Sequence, residues 1–307
     1  MTASHPSTTS PLLLGEPIDV SVDAHPRAAD QVISAVLAEI DRLERIFDPD
    51  DPASELSQWK ASDQEESAVS PELGRVLAAS ERFWVFSRGA FHPGSAALVR
   101  RWQRAEAEGT LPTASEMRQL AAALELPYTA VNGPIRRTGD CSQVDLSSIA
   151  RGYILDRAMQ VGWRLGLASS IRLDAGGDQR HQGSGGVLVP LLNLFAEPGD
   201  SEPLEVVHLR DAALTRSSRL RGGFQVGDRR LRDIIDPRTG WPNDDIVAVA
   251  TLAPEAMTAD ALATVIGVGW GSSVAQVPSC EWIVVHADGR VVKSEGWPRV
   301  GGCSSAS

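Results

Sequence analysis

Cysteine is scarce in this chain of 307 residues, and its three thiols lie far apart. Cys141, Cys280 and Cys303 form no C-x-x-C pair, so the sequence contains neither a zinc-binding motif nor a disulfide framework. Free cysteine behaves mostly as a small hydrophobic residue, and we expect ordinary buried thiols.

Positively charged residues are also few: the chain has 29 Lys and Arg residues and 40 Asp and Glu residues, which gives a formal net charge of −11. No group of basic residues is dense enough to follow a phosphate backbone, which argues against nucleic acid as a partner. An acidic protein can still bind an anionic nucleotide where a metal ion and backbone N–H groups neutralise it locally.

Long apolar runs are missing as well. Near the N-terminus the only such run is 12–14, which is too short for a signal-peptide core and has no basic region before it. No segment approaches the length of a membrane span. We therefore expect a cytoplasmic protein with a flexible tail over 1–11 and one domain over 12–303, in which two intimately packed lobes are possible.

Apolar periodicity predicts a mixture of strands and helices. Ile18, Val20 and Val22 alternate with polar residues as in a half-buried strand, and Ser70 before Pro71 is a typical helix start. Further helices are expected over 28–47, 113–124, 149–165 and 256–268, strands over 171–174, 204–209 and 246–252, a hairpin over 281–292, and a polar loop over 182–186. The elements show no regular βαβ rhythm, so the sequence predicts an α+β fold of mixed sheets with packed helices.

Two oxygen-bearing side chains lie on one face of the last predicted helix. Asp260 and Thr264 are four residues apart, so their side chains point the same way. A carboxylate and a hydroxyl are hard ligands of the kind that Mg²⁺ takes, together with waters and substrate phosphates. The alternative is an Asp favoured by the helix dipole and a Thr that faces solvent.

Two glycine-containing turns carry polar groups. Residues 234–240 read Ile-Ile-Asp-Pro-Arg-Thr-Gly, which is a turn by its Pro and Gly. Gly176 and Gly177 follow a predicted strand and would allow a phosphate or another backbone to approach closely. Either segment could be a plain connection, and the G-x-G-x-x-G spacing of a dinucleotide-binding fold is missing.

Four motifs taken together resemble one family. Residues 145–153 read Asp-Leu-Ser-Ser-Ile-Ala-Arg-Gly-Tyr and are followed by Asp156, which is similar to the pattern DLGGIAKGY…D of the FAD:protein FMN transferases, the ApbE-type flavin transferases. Leu-Asp-Ala-Gly-Gly-Asp (173–178), Ile-Ile-Asp-Pro-Arg-Thr-Gly-Trp-Pro (234–242) and Thr-Ala-Asp-Ala-Leu-Ala-Thr (258–264) resemble further motifs of that family. The order and spacing agree over roughly 14–269, nearly the whole chain.

The resemblance implies an ApbE-like, T-fold-related architecture and a Mg²⁺-dependent reaction. The family cleaves FAD, joins FMN to a Thr or Ser hydroxyl of a target flavoprotein and releases AMP. By position in the motifs, the metal ligands would be Asp260, Thr264 and the backbone carbonyl of Ser148. The residues that fall where the family binds FAD are Ala90, Phe91, His92, Asp145, Arg151, Gly176, Gly177 and Ile235.

The chain departs from the family pattern on the flavin side. Asp233 replaces the His that precedes the Ile-Ile-Asp-Pro run, and the family's Phe-Asp-Pro is here Phe91-His92-Pro93. Asp233 or His92 could therefore be the base for the accepting hydroxyl, although His92 could also be an ordinary, partly exposed histidine. Asp50 stands where an aromatic residue is common. These changes keep two alternatives open: an FAD pyrophosphatase, or a catalytically weakened FAD carrier or sensor.

Overall fold

One antiparallel sheet organises the fold of the protein. The computed structural model describes residues 11–66, 68–130, 134–195, 202–218, 223–231, 234–269 and 277–298. The strands of the sheet are Leu12–Leu13 (β1), Glu16–Asp23 (β2), Ser170–Ala175 (β5), Asp178–Gly183 (β6), Ala213–Ser218 (β9), Ile246–Ala253 (β12), Glu281–His286 (β13) and Val291–Lys293 (β14). They lie side by side in the order β1-β2-β5-β6-β9-β12-β13-β14, and every neighbouring pair is antiparallel.

Three two-stranded ribbons and a set of helices complete the described part of the chain. The ribbons pair Tyr128–Thr129 (β3) with Arg136–Arg137 (β4), Val187–Leu191 (β7) with Glu205–Leu209 (β8), and Phe224–Val226 (β10) with Arg229–Leu231 (β11). The helices are Pro26–Phe47 (α1), Glu55–Ala61 (α2), Pro71–Phe86 (α3), Ala96–Glu108 (α4), Ala114–Ala122 (α5), Ser147–Arg164 (α6) and Ala256–Gly267 (α7).

The two faces of the sheet belong to different hydrophobic clusters. Ala213 and Leu214 are neighbours on β9, and because strand side chains alternate, Ala213 packs under the helices while Leu214 packs on the opposite face. The helical side is covered by α1, α6 and α7. The β7–β8 ribbon covers the other side, with Val189 and Val207 both buried there.

A third cluster forms around Trp102, which is fully buried on α4. Its ring packs against Trp241 with centroids 5.1 Å apart, and its Nε1–H donates to the Gly240 carbonyl at 2.8 Å. Met117 from α5 and Ile235 belong to the same cluster. The turn over 234–242 is therefore held to the fold by α4 and α5.

The expected helix starts are confirmed by their hydrogen bonds. Ser70 accepts the Leu73 N–H at 3.2 Å, and Thr113 accepts the Glu116 N–H at 3.2 Å. The predicted hairpin over 281–292 is present as β13 and β14. The α+β class is confirmed.

Some expectations were wrong or incomplete. Residues 182–183 belong to β6 and do not form a loop, because Gly176 and Gly177 turn the chain back so that β6 pairs with β5. The sequence reading also gave no helix for α2 or α4. In α4 the three buried residues follow helical spacing among charged ones, and this local signal was overlooked: Leu98, Trp102 and Ala105.

Several predictions fall on residues that the structure does not describe. The tail over 1–10, Cys303 and the candidate base Asp233 lie outside the described residues. The other two thiols, Cys141 and Cys280, are buried and free as expected. No helix in the described ranges is long and apolar enough to cross a membrane.

Gly240 gives a test of the 234–242 turn. Its φ is +78°, and a Cβ added there would lie 2.9 Å from the Met117 carbonyl oxygen. A β-branched residue is both strained at this φ and crowded against backbone, so we expect Gly240→Val to lower the free energy of unfolding by about 2–4 kcal/mol. Arg238→Ala removes a half-exposed ion pair with Asp236 and should cost about 1 kcal/mol or less.

Urea melts of both variants at pH 7 measure the difference. The backbone bond from the Arg238 N–H to Asp236 survives in Arg238→Ala, which makes it a matched control within the same turn. Equal losses of stability in the two variants would contradict the assigned role of Gly240.

Candidate functional site

The site is built where α6 and α7 approach each other at Gly152. A Cβ added to Gly152 would lie 2.4 Å from the Ala256 carbonyl oxygen, so only glycine permits this approach. One turn further along α6, Asp156 accepts the Ala256 and Met257 N–H groups, both at 2.9 Å. The first turn of α7 is thus bonded to a side chain of α6.

Asp156 is a mostly buried carboxylate, 19% exposed, with a cationic neighbour. Its Oδ1 lies 3.3 Å from Arg180 Nε. Burial raises the pKa of Asp156 to about 6, while the two backbone N–H groups and Arg180 oppose the shift. Asp156 belongs to the motif that begins at Asp145, but the spacing of that motif did not predict a role for it.

Asp260 lies one turn into α7 and is 9% exposed. The Gly152 N–H lies toward its carboxylate and opposes the rise in its pKa, yet the Oδ2 atom has no hydrogen-bond partner in the described structure. Burial raises the pKa of Asp260 well above its usual range, and the negative charge of Asp178 adds to the shift. A buried carboxylate oxygen without a partner is costly unless a cation or another donor binds it.

Arg151 and Asp178 form the neighbouring charge pair. Arg151 Nη1 lies 3.2 Å from Asp178 Oδ2, and the Asp178 side chain is 6% exposed. Burial raises the pKa of Asp178, although Arg151 and the Thr215 hydroxyl oppose that shift. Asp178 follows Gly177 directly, and its polarity straight after a glycine turn is the signal that could have marked it as a site residue.

Ser148 lies at an irregularity in the first turn of α6, with φ −83° and ψ 15°. In a regular helix the Gly152 N–H would donate to the Ser148 carbonyl, since the two are four residues apart. That N–H also lies toward the Asp260 carboxylate, which places Asp260 against the first turn of α6. Thr264 is partly buried one turn beyond Asp260.

This donor set fits Mg²⁺ better than a transition metal. No group of three or more His, Cys, Asp or Glu side chains with metal-binding geometry occurs in the described ranges. Mg²⁺ is commonly held by one or two carboxylates and completes its shell with waters and phosphates, whereas zinc sites use Cys and His. The unpartnered Asp260 oxygen, four residues before the Thr264 hydroxyl on the same helix, is compatible with the first pattern.

Two adjoining cavities open beside Arg151 and the Gly176-Gly177 turn. One has a volume of about 410 Å³, and its lining includes Leu14, Asp50, Asp145 and Arg151. The second, of about 330 Å³, is lined by Gly176, Gly177, Arg216 and acidic residues of β2 and β5. The segment 14–16 borders both cavities, so they form neighbouring parts of one cleft.

The segment 90–93 reaches the same cleft through its backbone. The Asp145 N–H donates to the Pro93 carbonyl at 2.7 Å. The Ala90 and Phe91 side chains are buried, and the Phe91 ring packs 5.9 Å from Phe83, centroid to centroid. Any contact of Phe91 with a ligand in this conformation would therefore come from its backbone.

His92 is buried, with 8% of its surface exposed, so the reading as a partly exposed histidine was wrong. Its Nδ1 accepts the Gly94 N–H at 3.0 Å, and the neutral ring therefore carries its proton on Nε2. Burial lowers the pKa of His92 to about 4. This geometry favours a hydrogen-bond donor over a base, and the catalytic role of His92 stays a prediction.

The turn over 234–242 contributes packing more than exposed chemistry. Ile235 is buried in the Trp102 cluster, and Ile234 packs against Gly267 at the end of α7. Arg238 forms a two-pronged ion pair with Asp236, with N–O distances of 2.8 and 2.7 Å. The structure thus places Asp145 and Arg151 on the wall of one cavity and Asp260 next to Arg151, but it places the Ile235 side chain in a separate cluster.

The fold and the cleft define an α+β protein whose site pairs buried carboxylates with arginine, a set suited to a phosphate-bearing ligand held with a cation. The model of the ApbE family matches residues 14–275. The chain belongs to the ApbE family, as the sequence motifs predicted.

Curated relatives and solved structures agree with this family. The FAD:protein FMN transferase of Vibrio cholerae is 29% identical over 253 residues, covering 80% of this chain and 75% of that protein. That of Haemophilus influenzae is 26% identical over 260 residues, covering 80% and 74%. The crystal structure of the ApbE protein from Thermotoga maritima has a TM-score of 0.78 at 23% identity, covering 96% of this chain and 97% of that one. The flavin transferase ApbE from Vibrio cholerae has a TM-score of 0.74 at 20% identity, covering 96% of each chain. These superpositions support the fold.

The buried, neutral His92 predicts a pH dependence of stability. Its folded pKa of about 4 lies below the unfolded value of 6.5, so the unfolded state binds more protons between these pH values. We expect its share of the free energy of unfolding to be fully present above pH 6.5 and to be lost as pH falls toward 4, by about 3 kcal/mol at most. In His92→Asn, which keeps an acceptor for the Gly94 N–H, this part of the pH dependence should disappear. Urea melts from pH 4 to 7 test this, and parallel pH profiles for the two proteins would contradict it.

Proposed function

We propose that this chain is a Mg²⁺-dependent FAD:protein FMN transferase. In this reaction FAD is cleaved at its pyrophosphate, FMN is joined to a Thr or Ser hydroxyl of a target flavoprotein, and AMP leaves. The observation that carries the proposal is the buried, unpartnered Asp260 Oδ2 beside the Arg151–Asp178 pair at the cleft. The names of the curated relatives support the same activity.

Asp260, Thr264 and the carbonyl of Ser148 would hold the cation. Bound there, Mg²⁺ supplies charge neutralisation for the pyrophosphate and for the leaving AMP. The chain's own contribution is to present these oxygens from two packed helices, which reduces the reorganisation needed when the substrate arrives.

The cleft residues would orient FAD. Arg151 lies at the cleft wall and offers its guanidinium to a phosphate. The ion pair with Asp178 keeps that guanidinium aligned. Gly176 and Gly177 let a ligand approach the backbone of the second cavity. We propose further contacts from Asp145 and from the segment 90–92, while Ile235 would act by supporting the turn that it packs under.

Asp233 is the proposed base. Its carboxylate would take the proton of the accepting Thr or Ser hydroxyl while that oxygen bonds to the phosphorus of the FMN moiety and the bond to the AMP oxygen breaks. A carboxylate is a weaker base than imidazole, so this step is where the chain departs most from its family. If water takes the place of the hydroxyl, the same site is an FAD pyrophosphatase. If neither reacts, the protein is an FAD carrier or sensor. The cytoplasmic location expected from the sequence stays a prediction.

FAD binding should depend on both Mg²⁺ and Asp260. Asp260→Ala removes the charged ligand, so we expect the Kd for FAD in the presence of Mg²⁺ to rise at least about tenfold, with no change in its absence. Titration of the purified protein with FAD, followed by flavin fluorescence or calorimetry, measures this. Without metal, the variant should be at least as stable as the parent, because it loses a buried and unpartnered carboxylate.

Asp288→Ala is the matched control, since it removes the same charge from an exposed hairpin turn. Its FAD affinity should equal that of the parent. Unchanged, Mg²⁺-dependent FAD affinity in Asp260→Ala would exclude Asp260 as a metal ligand.

Turnover should depend on Asp233. Asp233→Asn keeps the shape but removes the basic oxygen, so AMP release from FAD with a Thr-bearing target should fall at least about a hundredfold while FAD affinity survives. In the parent, activity should persist at mildly acidic pH, because a carboxylate with a pKa of about 4 stays ionised where a histidine would be protonated. Undiminished AMP release by Asp233→Asn would rule out this role.

Replacing Asp233 by His separates the alternatives. A parent that releases no AMP alongside an active Asp233→His variant would favour the carrier or sensor. AMP release without flavin attached to the target would favour the pyrophosphatase.

A further inference from the structure

Helix α7 begins without a cap of its own. Glu255 occupies the N-cap position and makes no side-chain capping bond. Instead, the two carboxylate oxygens of Asp156 on α6 each accept one of the next two amides, Ala256 N–H at Oδ1 and Met257 N–H at Oδ2, both at 2.9 Å. The usual cap is local in sequence, whereas this one comes from 100 residues away.

The bonded residues belong to two facing stripes. Ser148, Gly152 and Asp156 follow each other at four-residue intervals along α6 and so lie near one face. Ala256, Asp260 and Thr264 have the same spacing along α7. Contacts join the stripes, because Asp156 accepts the Ala256 N–H, Gly152 packs directly against the Ala256 carbonyl, and the Gly152 N–H lies toward Asp260.

Asp156 is itself anchored to the sheet. Arg180 on β6 lies 3.3 Å from its Oδ1, and the same guanidinium donates to the His181 carbonyl at 2.6 Å and the Ala212 carbonyl at 3.1 Å. Because the Asp156 carboxylate is held by Arg180, it cannot move together with α7 if that helix shifts along its axis. The capped end of α7 therefore has a defined position relative to both α6 and the sheet.

We infer that Asp156 is a positioning residue that sets the register of α7 against α6 and thereby holds Asp260 and Thr264 in place to bind the cation. This inference rests on the metal site proposed above. Octahedral Mg²⁺ tolerates little displacement of its ligands, and partners that orient metal ligands typically change affinity about 10- to 100-fold when they are replaced. Asp156 contacts neither the cation nor FAD in this scheme.

The test is divalent-cation affinity, measured directly with Mn²⁺ by electron paramagnetic resonance and with Mg²⁺ by competition, in full-length protein without FAD. Asp156→Asn leaves one acceptor oxygen for two amides and puts an NH₂ group opposite the second. We expect the Kd for the cation to rise about tenfold or more. Ser70→Ala is the control, because it removes a helix cap from α3 and should lower the melting temperature without changing the Kd.

Hydrogen exchange in the parent gives a second measurement that needs no variant. If the capped turn holds the metal ligands, Mg²⁺ should slow exchange of the amides over 256–264, since coupling between the two is reciprocal. The α3 start should exchange at an unchanged rate.

The outcomes separate the inference from the function on which it rests. A parent that binds no cation would overturn the metal site and the inference with it. A parent that binds Mn²⁺, with equal affinity in Asp156→Asn or with unchanged exchange over 256–264, would overturn the inference alone.

Discussion

The approach of α6 to α7 at Gly152 is the constraint on which the site depends. The backbone of Ala256 would collide with any larger residue at that position, so only the absence of a side chain lets the two helices pack this closely beside Asp260. The cost is a buried carboxylate whose charge is poorly compensated. Proteins tolerate such costs where a site needs the group, and stability is then sacrificed for function.

The carboxylates of the site differ in how well their negative charge is compensated. Asp178 has Arg151, and Asp156 has Arg180 and two amides, so both are satisfied within the fold. Asp260 has only the Gly152 N–H turned toward it among its named neighbours with a backbone donor, and its Oδ2 is buried without a hydrogen-bond partner in the described part of the chain. That imbalance marks Asp260 as the place where a cation would contribute most, and it locates the proposed chemistry at the joint of α6 and α7.

Local sequence signals predicted the parts of the fold that local physics determines. The caps at Ser70 and Thr113 and the alternation around Val20 each depend on neighbours within a few residues, and all three were confirmed. Helix α4 was missed although the spacing of Leu98 and Trp102 is helical, whereas the packing of Trp102 against α5 and the 234–242 turn lies beyond any local window. Strand β6 was missed because its polar residues, such as Gln182, pair with β5 through backbone hydrogen bonds that do not depend on side-chain polarity.

The sequence by itself determined the α+β class and the family, because long motifs in fixed order specify both the backbone and the chemistry of a site. Its resemblance to the family also predicted that Asp260, Arg151 and Asp145 belong to one site. Only the tertiary structure decided that Asp156 caps α7, that Asp178 pairs with Arg151, and that His92 is buried and neutral. These facts depend on which helices and strands meet, and burial and hydrogen bonding at such junctions are properties of the packed chain.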